Sequence, residues 1–159
     1  MKTKAQASEP RYEALLQLLR TADTVWNASR VFFQEWDLGP SQFNVLNLLH
    51  LEPEGLSQTE LSRKLIMHRS NVTGLMDRLE ARGLVERKEV AADRRAYRVV
   101  LTQKGEALIR NILPRYYEGA NRVWGDLPLK RVLALIDDLR QVAQSVERVA
   151  AELPPQPSK

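Results

Sequence analysis

Apolar residues recur along the first part of the chain at the spacing of one face of an α-helix. From Arg11 to Trp36 they fall mostly three or four positions apart, at Leu15, Leu18, Leu19, Ala22, Val25, Trp26, Phe32 and Trp36. This spacing predicts a long helix with one buried stripe. Gly39 and Pro40 end it, and Pro40 suits the first turn of a second helix because its missing N–H has no helical partner there. We expect the second helix to reach about His50.

The middle of the chain carries two short helical patterns followed by two strand patterns. Ser57 and Glu60 form a capping box, which satisfies two backbone donors at a helix start. A further helix over residues 69–80 is predicted by an apolar face at i, i+3, i+4 and i+7, and Gly83 ends it. Residues 84–87 and 97–101 predict two short strands around a polar tip over 88–95. Helix, turn, helix and basic hairpin together indicate a winged helix-turn-helix.

Two more helical patterns follow the hairpin, one after Thr102 and one from about Leu129 to Ala151. The predicted fold class is mainly α with a small β-hairpin wing, in which a winged helix-turn-helix is flanked by N- and C-terminal dimerisation helices. The flanking helices carry more apolar surface than the winged segment can cover, so we expect two copies to pair through them. An intramolecular bundle is the alternative. The predicted segments are a flexible tail over 1–10, the N-terminal helix over 11–37, the DNA-binding domain over 38–101, the C-terminal helices over 102–151 and a flexible tail over 152–159.

Composition and charge narrow the class of protein. The chain has 159 residues, of which 43% are hydrophobic and 28% charged, which suits one compact core with a helical extension. Its net charge is only +4, but basic residues outnumber acidic ones between Arg63 and Arg98. The absence of cysteine excludes disulfides and thiolate metal sites. No apolar run approaches the ~20 residues that span a bilayer, and no apolar signal core follows the N-terminus, so we expect a cytoplasmic protein without a membrane partner.

A polar face of the helix over 69–80 lies opposite its apolar stripe and is the candidate surface for double-stranded DNA. Ser70 and Thr73 carry short hydroxyls that can reach base edges, and Gly74 lets the backbone come close. Asp77 is acidic, so we expect it to orient Arg78 or a neighbour rather than to contact DNA. The alternative for the whole face is a solvated polar surface. The candidate DNA-binding residues of this helix are Arg69, Ser70, Asn71, Thr73, Gly74 and Arg78.

Two stretches of the chain resemble the MarR family of bacterial transcription regulators. Residues 69–85 read RSNVTGLMDRLEARGLV, and residues 93–95 read DRR and are followed by LTQKG over 101–105. The resemblance covers about residues 11–150. It implies a cytoplasmic homodimer that binds a pseudo-palindromic operator, usually represses, and often releases DNA when a small aromatic or phenolic effector binds. His68 departs from the pattern, since relatives commonly place a serine-type N-cap there, and this weakens the cap without changing the fold assignment.

The tip of the hairpin holds the second set of candidate DNA contacts. The spacing of Asp93 and Arg95 places both on one side of the tip. By the resemblance, Arg95 enters the minor groove, Asp93 fixes Arg95, and Arg94 reaches a phosphate. A narrow minor groove concentrates negative potential, and a held guanidinium loses less entropy on entering it. An exposed charged hairpin is the alternative. Weaker phosphate candidates, equally readable as plain surface charges, are Arg63, Lys64, Arg87 and Lys88.

A candidate effector site lies where the first helix meets the second. Family regulators bind effectors in such a place, and Arg30 could pair with a carboxylate there. The alternative is that the aromatic residues of this set are core. The candidate ligand-binding residues are Trp26, Arg30, Phe33 and Phe43.

Two other classes of function fit the sequence less well than a DNA-binding regulator does. A winged helix that docks a protein partner, without sequence-specific DNA binding, would show exposed aromatic or aliphatic residues rather than Arg94, Arg95 and short polar side chains. An enzyme is not indicated, because the chain has no Gly-rich phosphate loop and no nucleophile elbow. His50 and His68 are the only histidines and neither has a cysteine beside it, so we expect no metal and no cofactor.

Overall fold

The computed structural model of the chain describes residues 9–65, 72–90 and 93–152, without the side chains of residues 90 and 93–96. The predicted class, mainly helical with a hairpin wing, is confirmed. Two compact units divide the chain, Met1–Ile112 and Leu113–Lys159. In chain order the elements are α1 (Pro10–Phe33), a 3-10 turn (Gln34–Trp36), α2 (Pro40–Leu51), α3 (Gln58–Lys64), α4 (Val72–Ala81), β1 (Val85–Val90), β2 (Asp93–Leu101), α5 (Gln103–Trp124) and α6 (Leu129–Glu152).

Helix starts in the first unit follow the capping signals of the sequence. Pro40 occupies the first turn of α2, and the Gln42 side chain accepts from the N–H of Gly39 at 2.8 Å. At the start of α3 the N–H of Glu60 donates to Ser57 Oγ at 3.2 Å, and the N–H of Ser57 donates to Glu60 Oε2 at 2.7 Å. The predicted capping box is therefore confirmed. These hydrogen bonds from Ser57 lower the pKa of the Glu60 carboxyl.

The core of the first unit is apolar and centres on α2, α4 and the start of α5. Every predicted core position of α4 is buried, so its amphipathic pattern is confirmed. Gly105 brings α5 close to the strand region, since an added Cβ would lie 2.0 Å from the carbonyl oxygen of Leu84. That carbonyl also accepts from the N–H of Thr102 at 3.2 Å. The largest fully buried side chains are Phe33, Leu46, Leu49, Leu61, Met76, Leu79, Leu84, Ile109 and Ile112.

The hairpin is longer than the sequence analysis predicted. Strands β1 and β2 pair antiparallel from Val85↔Leu101 to Val90↔Asp93, with an irregularity after Glu89. The polar residues assigned to the tip therefore belong mostly to paired strands. Backbone pairing does not require apolar side chains. The base of the hairpin contributes Val85 and Val99 to the core, but the strands continue beyond it with polar residues, so the apolar pattern underestimates their length.

A third backbone segment joins the hairpin at its base. Leu56 and Val99 exchange two backbone hydrogen bonds, of 3.0 and 2.8 Å. Gly55 precedes this bridge with φ +77°, and a Cβ there would lie 2.5 Å from the carbonyl oxygen of Val99. Glycine is thus required both by the left-handed backbone and by the close approach. The bridge ties the loop before α3 to the strand that leaves the wing.

Helix α1 leaves most of its apolar stripe uncovered in the single chain. Only Phe33 of α1 is buried, while Leu15, Leu19 and Val25 are exposed. The prediction of a buried stripe is wrong for one copy of the chain, because a helix of 24 residues, about 36 Å long, exceeds what the small winged core can cover. The helix also ends three residues earlier than predicted, where the chain tightens into the 3-10 turn.

The second unit consists of the end of α5 and all of α6. A turn at Gly125, with φ +52°, separates the two helices. Along α6, all of which the structure describes, no residue is buried. No helix in the described part of the chain is long and apolar enough to cross a membrane. The large apolar side chains that α6 leaves exposed are Leu129, Leu133, Ile136, Leu139, Val142, Val146 and Val149.

Candidate nucleic-acid interface

Helix α4 presents its polar face outward, as the sequence predicts. Thr73, Asp77 and Arg78 are exposed and Gly74 is half-buried, opposite the buried apolar stripe. The structure therefore brings three of the six helix candidates, Thr73, Gly74 and Arg78, onto one side of α4. Arg69, Ser70 and Asn71 lie outside the described residues, so their contacts stay predictions.

An arginine of β1 fixes α4 against the hairpin. Arg87 Nη2 donates to Asp77 Oδ1 at 2.8 Å, and Arg87 Nη1 pairs with the Glu80 carboxylate. The hydrogen bond to Asp77 raises the pKa of the Arg87 guanidinium above its usual value, and the negative charge of Glu80 adds to this effect. Asp77 thus holds Arg87, which agrees with the expectation that it orients Arg78 or a neighbouring residue, the residue being Arg87. Arg87 itself pairs with two carboxylates and so links β1 to α4, and a phosphate contact by Arg87 stays a prediction.

Tyr97 of β2 extends this link to α3. The Arg87 guanidinium lies 5.6 Å from the centroid of the Tyr97 ring, within cation–π range. The Tyr97 hydroxyl donates to Gln58 Oε1 at 3.0 Å, and Gln58 Nε2 donates to Thr73 Oγ1 at 2.5 Å. Neither Gln58 nor Tyr97 was predicted from the sequence. The available signal was the strand register, because Tyr97 and Arg87 share the face of the hairpin on which Val99 is buried.

The base of the hairpin is held by a second arginine. Arg98 donates to the carbonyl oxygen of Gly55 from Nε at 3.1 Å and from Nη2 at 2.6 Å. It also lies 3.7 Å from the Glu60 carboxylate. Arg98 therefore reinforces the junction at which Leu56 and Val99 pair.

Asp93 begins β2 opposite Val90, at the far end of the hairpin. The side chains of Asp93, Arg94 and Arg95 lie outside the described part of the chain. The sequence-based assignment of these three residues to a minor groove therefore stays a prediction.

The other basic candidates differ in what they contact. Lys64 pairs with Glu52 at 3.0 Å, and Lys88 pairs with Glu86 at 3.3 Å. Arg63 is exposed near the end of α3. Exposed ion pairs of this kind contribute little to stability.

Two of the four candidate effector residues lie in the core. Phe33 and Phe43 are 2% and 4% exposed, and their rings stack with centroids 4.3 Å apart. Trp26 is half-buried and lies two turns before Phe33 on α1, and Arg30 is exposed and lies one turn before it. The structure brings the two phenylalanines together as packing, in line with the alternative reading for them.

The one histidine that the structure describes in detail belongs to a small ionic cluster. His50 Nδ1 lies 3.1 Å from Glu106 Oε2, and Arg110 Nε donates to Glu106 Oε1 at 2.6 Å. The hydrogen bond with His50, and then that with Arg110, lowers the pKa of the Glu106 carboxyl. Among the residues that the structure describes, no group of three metal-ligating side chains is found.

A recognition helix packed beside a hairpin wing defines a DNA-binding protein of the winged helix-turn-helix class. A sequence profile of the MarR family matches residues 36–96. The transcriptional regulator PapX of Escherichia coli is 30% identical over 128 residues, which are 77% of this chain and 78% of PapX. The chain belongs to the MarR family of transcription regulators, a non-enzymatic family.

Further relatives agree with this assignment. The transcriptional repressor MprA of Escherichia coli is 35% identical over 83 residues, 52% of this chain and 47% of MprA. The repressor CouR, solved on a 23-mer DNA duplex, matches with a TM-score of 0.73 at 29% identity over 90% of this chain and 98% of CouR. CouR from Rhodococcus jostii, solved with p-coumaroyl-CoA, matches with a TM-score of 0.73 at 26% identity over 89% of this chain and 96% of CouR.

Proposed function

We propose that this MarR-family regulator binds a pseudo-palindromic operator as a homodimer and acts as a ligand-responsive repressor. The observation that carries the proposal is the placement of α4, whose exposed Thr73 and Arg78 stand beside a hairpin that Arg87 ties to the same helix. Such a unit offers a helix to a major groove and a hairpin to the adjacent minor groove. The repressors MprA and CouR, the latter solved on DNA, support the same reading.

Within each half-site the candidate residues take different tasks. Ser70 and Thr73 contact base edges near the start of the recognition helix, where side chains are short enough for close approach. Arg78, one turn further along, contacts a phosphate and fixes the register of the helix. In the wing, Arg95 enters the minor groove with Asp93 holding its guanidinium.

The exposed apolar residues of α1 and α6 support dimerisation. Each helix repeats large aliphatic side chains along one stripe, and in the single chain these stripes are largely exposed to solvent. Contiguous apolar surface of this extent marks an interaction site on a protein that stays in solution. A second copy of the chain is the partner that a pseudo-palindromic operator requires, because two-fold symmetry in DNA matches two-fold symmetry in the protein.

The effector proposal rests on two residues of α1. Trp26 is half-buried and Arg30 is exposed, and both lie on α1 within two turns of Phe33, which stacks on Phe43. A phenolic ring packed on Trp26 with an anionic group on Arg30 would use both. The complex of CouR with p-coumaroyl-CoA supports an aromatic ligand of this chemistry. The phenylalanines then form the floor of the site rather than its polar contacts.

Release of DNA follows from geometry. The two recognition helices must sit roughly 34–36 Å apart to enter successive major grooves. An effector that binds better to a different spacing draws the dimer away from DNA by its differential affinity alone. A preference of ~100-fold supplies ~2.7 kcal/mol, enough to release most of the bound protein.

The test is selection of bound fragments from a random duplex library by the purified full chain. Near-physiological salt suppresses nonspecific phosphate binding, which falls steeply as salt rises. The proposal predicts one inverted repeat with half-sites about one helical turn apart. Absence of an enriched sequence, with and without p-coumaroyl-CoA, would contradict the proposal and favour a winged helix that docks a protein.

A further inference from the structure

Three side chains form a continuous hydrogen-bonded line from the wing to the recognition helix. We call Tyr97, Gln58 and Thr73 the wing relay. The Tyr97 hydroxyl lies 3.0 Å from Gln58 Oε1, and Gln58 Nε2 lies 2.5 Å from Thr73 Oγ1. The relay thus joins β2, the start of α3 and the first described turn of α4.

The backbone pairing at the base of the wing explains why these residues meet. Leu56 pairs with Val99 in antiparallel sense. Two residues onward from Leu56 is Gln58, and two residues back from Val99 is Tyr97, so the same register brings the two side chains together. The Arg87 guanidinium over the Tyr97 ring and the bonds from Arg87 to α4 hold the ring in place.

Hydrogen-bond chemistry gives the relay a direction. The amide oxygen of Gln58 can only accept and its nitrogen can only donate. Because the Tyr97 hydroxyl donates to the oxygen, the nitrogen is turned towards Thr73. Thr73 Oγ1 therefore accepts from Gln58. Among the residues that the structure describes no acceptor for the Thr73 proton is found, so this proton can donate outward from α4.

We infer that Tyr97 and Gln58 are positioning residues that make Thr73 a hydrogen-bond donor towards DNA, and that the wing thereby sets which bases the recognition helix prefers. The inference rests on the proposed function of α4. In the major groove guanine, adenine and thymine offer acceptors, whereas cytosine offers its N4 donor. The base opposite Thr73 should accordingly carry an acceptor, and cytosine should be disfavoured there.

Three variants of the full chain test this with the same duplex library. Thr73→Val, which removes the hydroxyl at nearly constant shape, identifies the base position that Thr73 contacts. Tyr97→Phe keeps the ring under Arg87 but frees the Gln58 amide to rotate. It should reduce discrimination against cytosine at that position by roughly threefold to tenfold, the value of one hydrogen bond, and leave the other positions unchanged.

Gln58→Glu should turn Thr73 from a hydrogen-bond donor towards DNA into an acceptor. A carboxylate only accepts, so it would take the Thr73 proton and leave an oxygen lone pair facing DNA. Cytosine should then be favoured over wild type at the same position. The added negative charge weakens binding to every sequence alike, so its effect cancels when the enrichment of one base is divided by that of another. Tyr12→Phe, which removes a hydroxyl from an exposed ring at the start of α1, is the control and should leave all base preferences unchanged.

The outcomes separate the inference from the function on which it rests. Failure of the wild-type chain to enrich any sequence counts against the proposed function. An enriched motif that Thr73→Val changes, but that Tyr97→Phe and Gln58→Glu leave as in wild type, overturns the relay and keeps Thr73 as a DNA contact. A motif that Thr73→Val leaves unchanged also overturns the relay, because no base would then be read by the hydroxyl.

Discussion

At the scale of single residues, the charge that matters most for DNA binding is expected at Arg95. We predict that Arg95→Ala weakens operator binding by ~1–3 kcal/mol with little effect on folding, because an arginine held in a narrow minor groove meets concentrated negative potential. Titration of the selected duplex measures the loss. Arg20→Ala, which removes an exposed arginine of α1, controls for net charge. Equal affinities for wild type and Arg95→Ala would remove the wing tip from the mechanism.

Glu106 should make the stability of the first unit depend on pH in the acidic range. Its folded-state pKa is lowered below the ordinary value of 4.5 by hydrogen bonds with His50 and Arg110. The stabilisation is therefore complete above about pH 4.5 and is lost as pH falls through the lowered pKa, because the unfolded chain binds the proton first. We expect Glu106→Gln to flatten the pH dependence of the free energy of unfolding in this acidic range. Urea titrations at several pH values measure this free energy. The same change with pH in the variant as in wild type would show that the contacts of Glu106 with His50 and Arg110 do not cause the dependence.

Residue patterns predicted faces well and cross-element partners poorly. The spacing of Val72, Leu75 and Leu79 predicted the buried side of α4 because helical periodicity alone decides which residues share a face. The pairing of Asp77 with Arg87 was not predicted, since it depends on how far the hairpin leans over the helix. Phe33 and Phe43 illustrate the same limit, because a stacked core pair and a ligand pocket require the same residue types.

At the scale of elements, Arg87 should couple the hairpin to α4. Its guanidinium joins two carboxylates of the helix and covers the Tyr97 ring. Arg87→Ala should lower the free energy of unfolding by about 1–2 kcal/mol, because it leaves Asp77 and Glu80 as neighbouring negative charges without their cation. The loss stays modest since the site is partly open to solvent.

A double-mutant cycle distinguishes this coupling from loss of packing. Asp77→Asn alone should cost less than Arg87→Ala, and the two together should cost less than the sum of the single changes. Lys88→Ala, from the neighbouring position of the same strand, is the matched control. Additive effects of Arg87→Ala and Asp77→Asn would show that the two side chains act independently.

The lengths of the elements were predicted unevenly, for physical reasons. Helices with capping signals, such as α2 with Pro40 and α3 with Ser57, begin where the sequence indicates. The hairpin extends past its apolar positions because strand pairing is made by the backbone. The Leu56–Val99 bridge was not predicted either, since one paired residue leaves no periodicity to detect.

At the scale of the whole molecule, the exposed apolar stripe of α6 predicts that assembly depends on this helix. Truncation after Ile136 should convert the dimer to monomers and abolish tight operator binding, because it removes Leu139, Val142, Val146 and Val149. Light scattering and duplex titration measure the two effects. Truncation after Glu152 is the control and should change neither. A folded, tightly binding monomer that ends at Ile136 would place the interface elsewhere.

Our central proposal is that one dimer places two copies of α4, each with its hairpin wing, on the same face of one duplex. The most direct measurement is the affinity for the selected operator before and after insertion of about five base pairs, half a helical turn, between its half-sites. We predict that the affinity for the altered duplex falls to that for a single half-site, because the second half-site then faces away from the dimer. Affinity that is unchanged by the insertion would contradict the claim and show that each half-site is read independently.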